Sequence, residues 1–465
     1  MKFYKQTKII ATISDLRYDE EFIRDLYENG MDVVRLNTAH QVPEQTLDII
    51  KSIRAVSEKI AILIDTKGPE VRTIIENPID VHFGDIVKVY RDETQGFSTI
   101  YSDFVNKVPV GSFILIDDGL LELEVIEKEE DFLVCEAKND GVIKDKKSIN
   151  VPNVHLDVPS LSEKDKEYIK FAAENKVDFI AHSFVRNKED IIAINEILEE
   201  YDFKPKIIAK IENSEGVENI DEIIEYAYGI MIARGDLGVE IPIHKLPSIQ
   251  KNIINKCIRQ AKPVIVATQM LHSMIDSPRP TRAEVNDIAN SVYDGADALM
   301  LSGETAFGKY PVLAVKTMSK ITKEVENNKV SLMNIPKFEF PNKIRNFLCK
   351  SAILASLELP VKAIVIDTET GRSARIVSAY RGKVPIYVKC RSIELVRSLA
   401  LSYGVEASLV NNSDNIDNLI KTLIQSLVDE SKLNLDDLIV VLAGLPGKKK
   451  GSDFIEINTV ETCLS

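Results

Sequence analysis

The chain has 465 residues, 45% of them hydrophobic and 28% charged, with a formal net charge of −14. That length exceeds one ordinary core and implies about three domains at about 150 residues each. The acidic balance argues against nonspecific nucleic-acid binding and against a basic membrane-surface role, but it leaves room for a local cationic site that takes an anionic metabolite.

The five cysteines (Cys135, Cys257, Cys349, Cys390, Cys463) are scattered and form no CxxC pair. Free thiols in a reducing compartment follow, with neither a disulfide frame nor a zinc site. Charges interrupt the first thirty residues, unlike a signal peptide, and no apolar run approaches 18 residues. A cytoplasmic protein with no membrane span is expected.

In chain order, short apolar runs alternate with amphipathic helical stretches. Lys8–Ile13 reads as a first strand. Residues 19–29 read as a helix with Phe22, Ile23 and Leu26 on one face and Asn29-Gly30 as its stop. Asp32–Asn37 is a second strand, a helix runs through Leu47, Ile50 and Ile53, and Ile60–Thr66 is a third strand. From Pro69 to about Pro159 the pattern changes to short alternating strands separated by Gly and Asp, which predicts an inserted all-β domain. The αβ rhythm resumes at Ser162, a helix cap. Further strands are expected at Asp178–Phe184, Lys206–Ile211, Gly229–Ala233, Pro263–Gln269 and Ala298–Glu304.

Eight β-then-α units are the count for a closed (β/α)8 TIM barrel. An open doubly wound sheet is the alternative. The strands share a layout of apolar bodies and polar tips: Arg35 and Asn37, Asp65 and Thr66, Ser183, Lys210 and Glu212, Asp236, Thr268, Ser302 and Glu304. In such barrels chemistry sits at the carboxyl ends of the strands. A polar helix and linker over about 311–341 precede a small open α/β domain, with strands at Ala363–Asp367, Pro385–Val388 and Leu438–Leu442. The expected domains are a catalytic barrel from 1–69 and 160–332, a lid from 70–159, and a regulatory-type domain from 342–465.

The chemistry concentrates in Lys206–Pro242. One strand delivers Lys210 and Glu212, and the next delivers Arg234 and Asp236 between Gly235 and Gly238. Two carboxylates and a lysine at neighbouring strand ends suit a hard cation and an anionic substrate. In the third unit, the loop Thr368–Ala374 at a helix start can cradle phosphate, and Gly444–Ser452 is a second, basic and glycine-rich loop that lacks Walker A spacing. The plain reading of each is a surface turn.

These motifs together resemble the pyruvate kinase family over almost the whole chain. They are Asp65–Arg72, Lys210–Gly216, Met231–Gly238, Ala267–Leu271, Pro278–Glu284, Asp294–Asp297 and Leu301–Thr305, in family order. The resemblance implies a barrel with a β-domain inserted after the third strand and a C-terminal α/β domain. It also implies transfer of the phosphoryl group of phosphoenolpyruvate to ADP, giving pyruvate and ATP. By match to the family's motifs, Glu212 and Asp236 would hold Mg2+ (or Mn2+). Lys210 would stabilise charge on the phosphoryl group and enolate. Arg35, Gly235 and Thr268 would bind substrate, with Thr268 near the face where the enol is protonated. Asn37, His40, Arg72 and Lys147 would contact the nucleotide, and Asp117-Asp118-Gly119 would belong to the closing lid. Homotetramers are usual in the family.

Some positions depart from the family pattern. Of the family's K+ ligands, Asn37, Asp65 and Thr66 match, but Ala39 stands where a serine is usual. K+ is expected to bind with another oxygen in place of that hydroxyl, and Glu70 matches K+-dependent members. Asn37–Gln41 and the Lys146-Lys147-Ser148 stretch differ around His40 and Lys147. Asp15, in place of the family's usual proline, lies near the nucleotide entrance. Thr368, Thr370, Arg372 and Ser373 match the family's effector loop in type, which leaves a phosphorylated effector open. The competing readings are a phosphoenolpyruvate/pyruvate-barrel lyase and a metabolite sensor without turnover.

Overall fold

A computed structural model describes residues 5–39, 41–92, 96–328, 338, 340–409, 419–444 and 454–465. Eight parallel strands close into a barrel: Lys8–Thr12, Val33–Asn37, Ala61–Asp65, Phe179–His182, Lys206–Ile211, Gly229–Ala233, Val264–Ala267 and Ala298–Leu301. Each strand pairs with its neighbours in sequence and the eighth returns to the first, so the open-sheet alternative is excluded.

Alternation along the strands separates two cores. Ile10, Val33, Leu63, Phe179, Ala181, Ile208 and Met231 fill the lumen. Their neighbours Ile9, Val34, Ile64, Ile180, Ala209 and Ile232 pack under the helices. The same alternation puts Arg35, Asp65, Ser183 and Lys210 on the lumen side at the carboxyl ends, because each follows a lumen residue by two. Register sets Asn37 beside Asp65, and Ala181 beside Asp65 on the other flank.

The inserted segment forms a second closed barrel of seven short strands, mostly antiparallel, around a core that includes Val89, Ile114, Leu123 and Leu133. A two-stranded ribbon pairs Ile79–Val81 with Gly141–Ile143. Asp117, Asp118 and Gly119 all take positive φ (55°, 58° and 81°), which folds the tight turn between Phe113–Ile116 and Leu121–Lys128. A Cβ on Gly119 would lie 3.7 Å from Val239 of the main barrel, so this turn meets the barrel's rim.

The third unit is a five-stranded sheet in the order Val405–Leu409, Ile386–Cys390, Val361–Asp367, Leu438–Ala443, Phe454–Thr459, antiparallel only at the last pair. It docks on the amino-terminal end of the large barrel. Arg381 Nη2 reaches Asp297 Oδ2 at 2.7 Å, and Arg397 Nε donates to the Glu58 carbonyl at 2.7 Å. No described helix is long and apolar enough to cross a membrane.

Candidate active site

A buried ion cluster organises the carboxyl end of the large barrel. Lys210 Nζ donates to Ser183 Oγ at 2.7 Å and lies 3.0 Å from Asp65 Oδ1 and 2.9 Å from Glu212 Oε1. On the other side of Asp65, Arg35 Nε donates to Oδ2 at 2.7 Å, and Arg35 Nη1 donates to Thr12 Oγ1 at 3.1 Å. Burial alone would push the Asp65 carboxyl up, but Lys210 and Arg35 overcome it and hold Asp65 below the usual carboxylate range. Burial likewise opposes charge on Lys210, yet Asp65 and Glu212 outweigh it and keep the ammonium protonated.

Glu212 is short of positive charge. Burial pushes its carboxyl up to about 7; Lys210 opposes this, while Asp236 and Asp65 reinforce it. Asp236 is also pushed up by burial, with Lys210 opposing and Asp118 and Glu70 of the inserted domain adding to the rise. Two hard oxygen donors that repel one another in a buried site fit a divalent cation, which would relieve both. Among the described residues no three His, Cys, Asp or Glu side chains are grouped to hold a metal unaided.

Gly235 and Thr268 are bonded to one another. Gly235 N donates to Thr268 Oγ1 at 2.7 Å, and Thr268 Oγ1 donates to the Ala267 carbonyl at 2.6 Å. Thr268 and Gln269 hold positive φ of 70° and 54°, an uncommon backbone for a β-branched residue and its neighbour, at the end of a barrel strand. Arg234 anchors this corner by donating to the Thr268 carbonyl at 2.8 Å and to Asp287 Oδ1 at 2.7 Å.

The oxygens expected for a monovalent cation stand on two neighbouring strands, with Asn37 in register with Asp65. Asn37 Oδ1 accepts from Ala39 N at 3.2 Å, and the Thr66 carbonyl accepts from Ser183 Oγ at 2.7 Å. Ser183 Oγ also lies 3.3 Å from Asp65 Oδ1.

The two lid cations are turned toward lid acids. Arg72 Nε donates to Glu70 Oε2 at 2.9 Å and Arg72 Nη1 to the Lys146 carbonyl at 2.6 Å, while Lys147 Nζ reaches Asp117 Oδ1 at 3.0 Å. His40 lies outside the described residues. A cleft of about 330 Å³ separates the lid from the barrel, with Glu70, Asp118, Asn150, Phe184, Asp236 and Glu240 in its walls.

Other tips serve the fold. Both Glu304 oxygens accept backbone N–H groups, from Leu271 at 3.0 Å and from Ser302 at 2.7 Å. In the third unit, Gly371 at φ 72° caps the helix Arg372–Ala379, and Thr368 Oγ1 accepts from Gly371 N at 3.0 Å. Thr368 and Ser373 are buried there, and Thr370 and Arg372 are exposed. Of the second loop, all but Gly444 lies outside the described residues.

From sequence, Ser183 is only a polar strand tip and Phe184 only the end of an apolar run. In the structure they hold the cluster: Phe184 N donates to Glu212 Oε2 at 2.8 Å from a backbone at φ 55°. The apolar–polar switch at 182–184 was the available signal, but the turn that aims the N–H is set by tertiary packing. Arg186 is a second such residue. It donates to the Val158 carbonyl at 3.1 Å while paired with Asp190 at 3.0 Å, and so ties down the chain returning from the lid.

A family model described as pyruvate kinase, barrel domain, matches residues 4–315, and one described as pyruvate kinase, alpha/beta domain, matches residues 346–458. A pyruvate kinase of Borreliella burgdorferi is 50% identical over 469 residues, spanning 99% of this chain and 98% of the relative. One from Staphylococcus aureus is 42% identical, spanning 96% of this chain and 79% of the relative. The crystal structure of a pyruvate kinase from Cryptosporidium parvum superposes with a TM-score of 0.92 at 35% identity, covering 98% of this chain and 96% of that one.

Proposed function

The chain belongs to the pyruvate kinase family, and on that premise we propose how its site transfers the phosphoryl group of phosphoenolpyruvate to ADP, giving pyruvate and ATP. The observation that carries the reading is Lys210, a buried ammonium held charged among Asp65, Glu212 and Ser183 at the carboxyl end of the barrel. Neither a lyase nor a silent sensor is favoured by relatives of this identity and coverage.

Phosphoryl transfer depends on positioning and charge neutralisation more than on covalent help. Arg35 and Lys210 bind and orient the anionic phosphoryl group, and Lys210 also faces the enolate oxygen as its P–O bond breaks. Glu212 and Asp236 would hold Mg2+ or Mn2+, which when bound neutralises phosphate and enolate charge. Asn37, Asp65 and Thr66 supply oxygens for K+, and Ala39 removes one from the set. Gly235 and Thr268 frame the substrate pocket. Thr268 Oγ1 relays a solvent proton to C3 of the enolate, giving up its own proton and taking another. Arg72 and Lys147 on the lid and Asn37 on the barrel meet the nucleotide phosphates once the lid acids are displaced, and by its motif His40 is the fourth residue of that set. Closure of the lid excludes water that would otherwise accept the phosphoryl group. Thr368, Thr370, Arg372 and Ser373 form a candidate loop for a phosphorylated effector, and a homotetramer is the expected assembly.

Pyruvate release from phosphoenolpyruvate, ADP and Mg2+ tests the reading, with Lys210→Met as control. Turnover that disappears in Lys210→Met supports it. No turnover by the unsubstituted protein, with phosphoenolpyruvate still bound, returns the sensor or lyase reading.

A further inference from the structure

We propose that Ser183 is a positioning residue that fixes the Lys210 ammonium for phosphoryl transfer; the inference rests on the reaction proposed above. An ammonium has three donors on a flexible four-carbon stem, and it needs three acceptors to hold one position. Lys210 has them in Ser183 Oγ at 2.7 Å, Glu212 Oε1 at 2.9 Å and Asp65 Oδ1 at 3.0 Å. Two of the three are carboxylates with other claims on them. Asp65 is shared with Arg35 at 2.7 Å, and Glu212 is the carboxylate that would face a divalent cation. The neutral hydroxyl is the acceptor whose hold on Lys210 persists while charges enter and leave the site.

The hydroxyl's direction is set by its surroundings. Because Lys210 donates to Ser183 Oγ, the serine's own proton must go elsewhere, and the Thr66 carbonyl at 2.7 Å receives it. That leaves a lone pair facing the ammonium. Ser183 is buried and follows Phe179 and Ala181 in the lumen register. Gly68, at φ 73°, makes room for it: a Cβ on Gly68 would come within 2.7 Å of Ser183 Cβ and 2.9 Å of the Phe184 ring. The next residue, Phe184, gives its N–H to Glu212 Oε2 at 2.8 Å. One strand end thus orients both Lys210 and Glu212, through two successive residues on a strand that carries neither.

The test compares Ser183→Thr with Ser183→Val in the full-length protein. The two substitutions add the same branch to the buried site and differ in the hydroxyl. Pyruvate formation and melting temperature are measured for both and for the unsubstituted protein. The expected result is a kcat for Ser183→Val roughly ten- to hundredfold below that of Ser183→Thr, the scale of one hydrogen bond to a charged group, with KM for phosphoenolpyruvate alike in the two and a melting temperature for Ser183→Val that is equal or a few degrees lower. Equal kcat overturns the inference, and so does a difference confined to KM or to melting temperature. If the added branch prevents folding, Ser183→Ala is read against the unsubstituted protein: the same kcat loss at unchanged KM supports the role, and kcat within about twofold overturns it. Absence of turnover in the unsubstituted protein overturns the proposed reaction and this role with it, whereas turnover there beside equal variants overturns the role alone.

Discussion

Lys210 Nζ lies 3.0 Å from Asp65 Oδ1 although their strands are not neighbours; the strand Phe179–His182 runs between them. The contact crosses the lumen end of the barrel, where side chains from alternate strands share a layer. Asp65 therefore balances two cations, Arg35 and Lys210, in a site from which water is largely excluded. Asp65→Asn keeps the shape and removes the charge. Breaking a buried ion pair from one side costs about 3–5 kcal/mol. The variant should melt several degrees lower, and kcat/KM for phosphoenolpyruvate should fall about a hundredfold or more, as Lys210 and Arg35 lose their common counter-charge. An Asp65→Asn protein with unchanged melting temperature and kinetics would remove Asp65 from the cluster's charge balance.

Divalent-cation dependence should pass through Glu212. Losing a residue behind a metal ligand already weakens binding about 10–100-fold, so losing a ligand should do at least as much. Glu212→Gln should raise the Mg2+ needed for half-maximal rate by about tenfold or more. Chelation should stop the unsubstituted enzyme, and added Mg2+ should restore it. An unchanged Mg2+ requirement in Glu212→Gln would take Glu212 out of the metal site.

The monovalent requirement should persist despite Ala39. Asp65, the Thr66 carbonyl and Asn37 Oδ1 remain, and a water can take the coordination place that the serine hydroxyl leaves. Pyruvate formation should be faster in K+ than in tetramethylammonium at equal ionic strength. Equal rates in the two salts would mean that this chain has dispensed with the cation.

The fold class was legible because the barrel strands carry apolar bodies and polar tips, and a lumen register gathers those tips into one cluster of Arg35, Asp65 and Lys210. Less was legible where pairing or tertiary packing decides. The strands Val405–Leu409 and Phe454–Thr459 have Glu, Ser and Asn interrupting their apolar residues, and as the two edges of their sheet they need no continuous apolar run. Ser98–Thr99 is too short to show a period. The engagement of Arg72 with Glu70 and of Lys147 with Asp117 follows from folding within the lid, which a match to a motif does not report.

Acid should destabilise the protein partly through His182. The ring is buried on the helix side of its strand, and neither nitrogen has a hydrogen-bond partner among the described residues. Burial lowers its pKa from 6.5 to about 4; Asp190 and Asp165 oppose this, and Lys210 and Arg186 add to it. Between those values the unfolded chain binds a proton that the folded chain does not, so stability present above pH 6.5 is lost as pH falls toward 4. The loss from pH 7 to pH 5 amounts to about 2 kcal/mol. His182→Phe cannot titrate, and its urea midpoint should fall less between pH 7 and pH 5 than that of the unsubstituted protein. Parallel midpoints in the two proteins would assign the acid sensitivity to other groups.

Lid return should depend on Arg186. Its guanidinium donates to the Val158 carbonyl at 3.1 Å and to Asp190 Oδ1 at 3.0 Å, so it clamps the segment re-entering the barrel onto the helix that follows Ser183. Nearby, His155 Nδ1 lies 2.6 Å from Glu215 Oε2 and forms an outer contact between the same segment and the barrel. The two contacts differ in weight. Arg186 is mostly buried and its loss strands Asp190, whereas the His155 pair is half exposed and screened. Arg186→Ala should therefore speed limited proteolysis within residues 151–159 and lower kcat, because a loosened hinge spends less time closed over the site. His155→Ala should change either property little. Equal proteolysis of Arg186→Ala and the unsubstituted protein would show that the return segment is held by its own packing, with Val154, Leu156 and Val158 against the lid core, and not by the guanidinium.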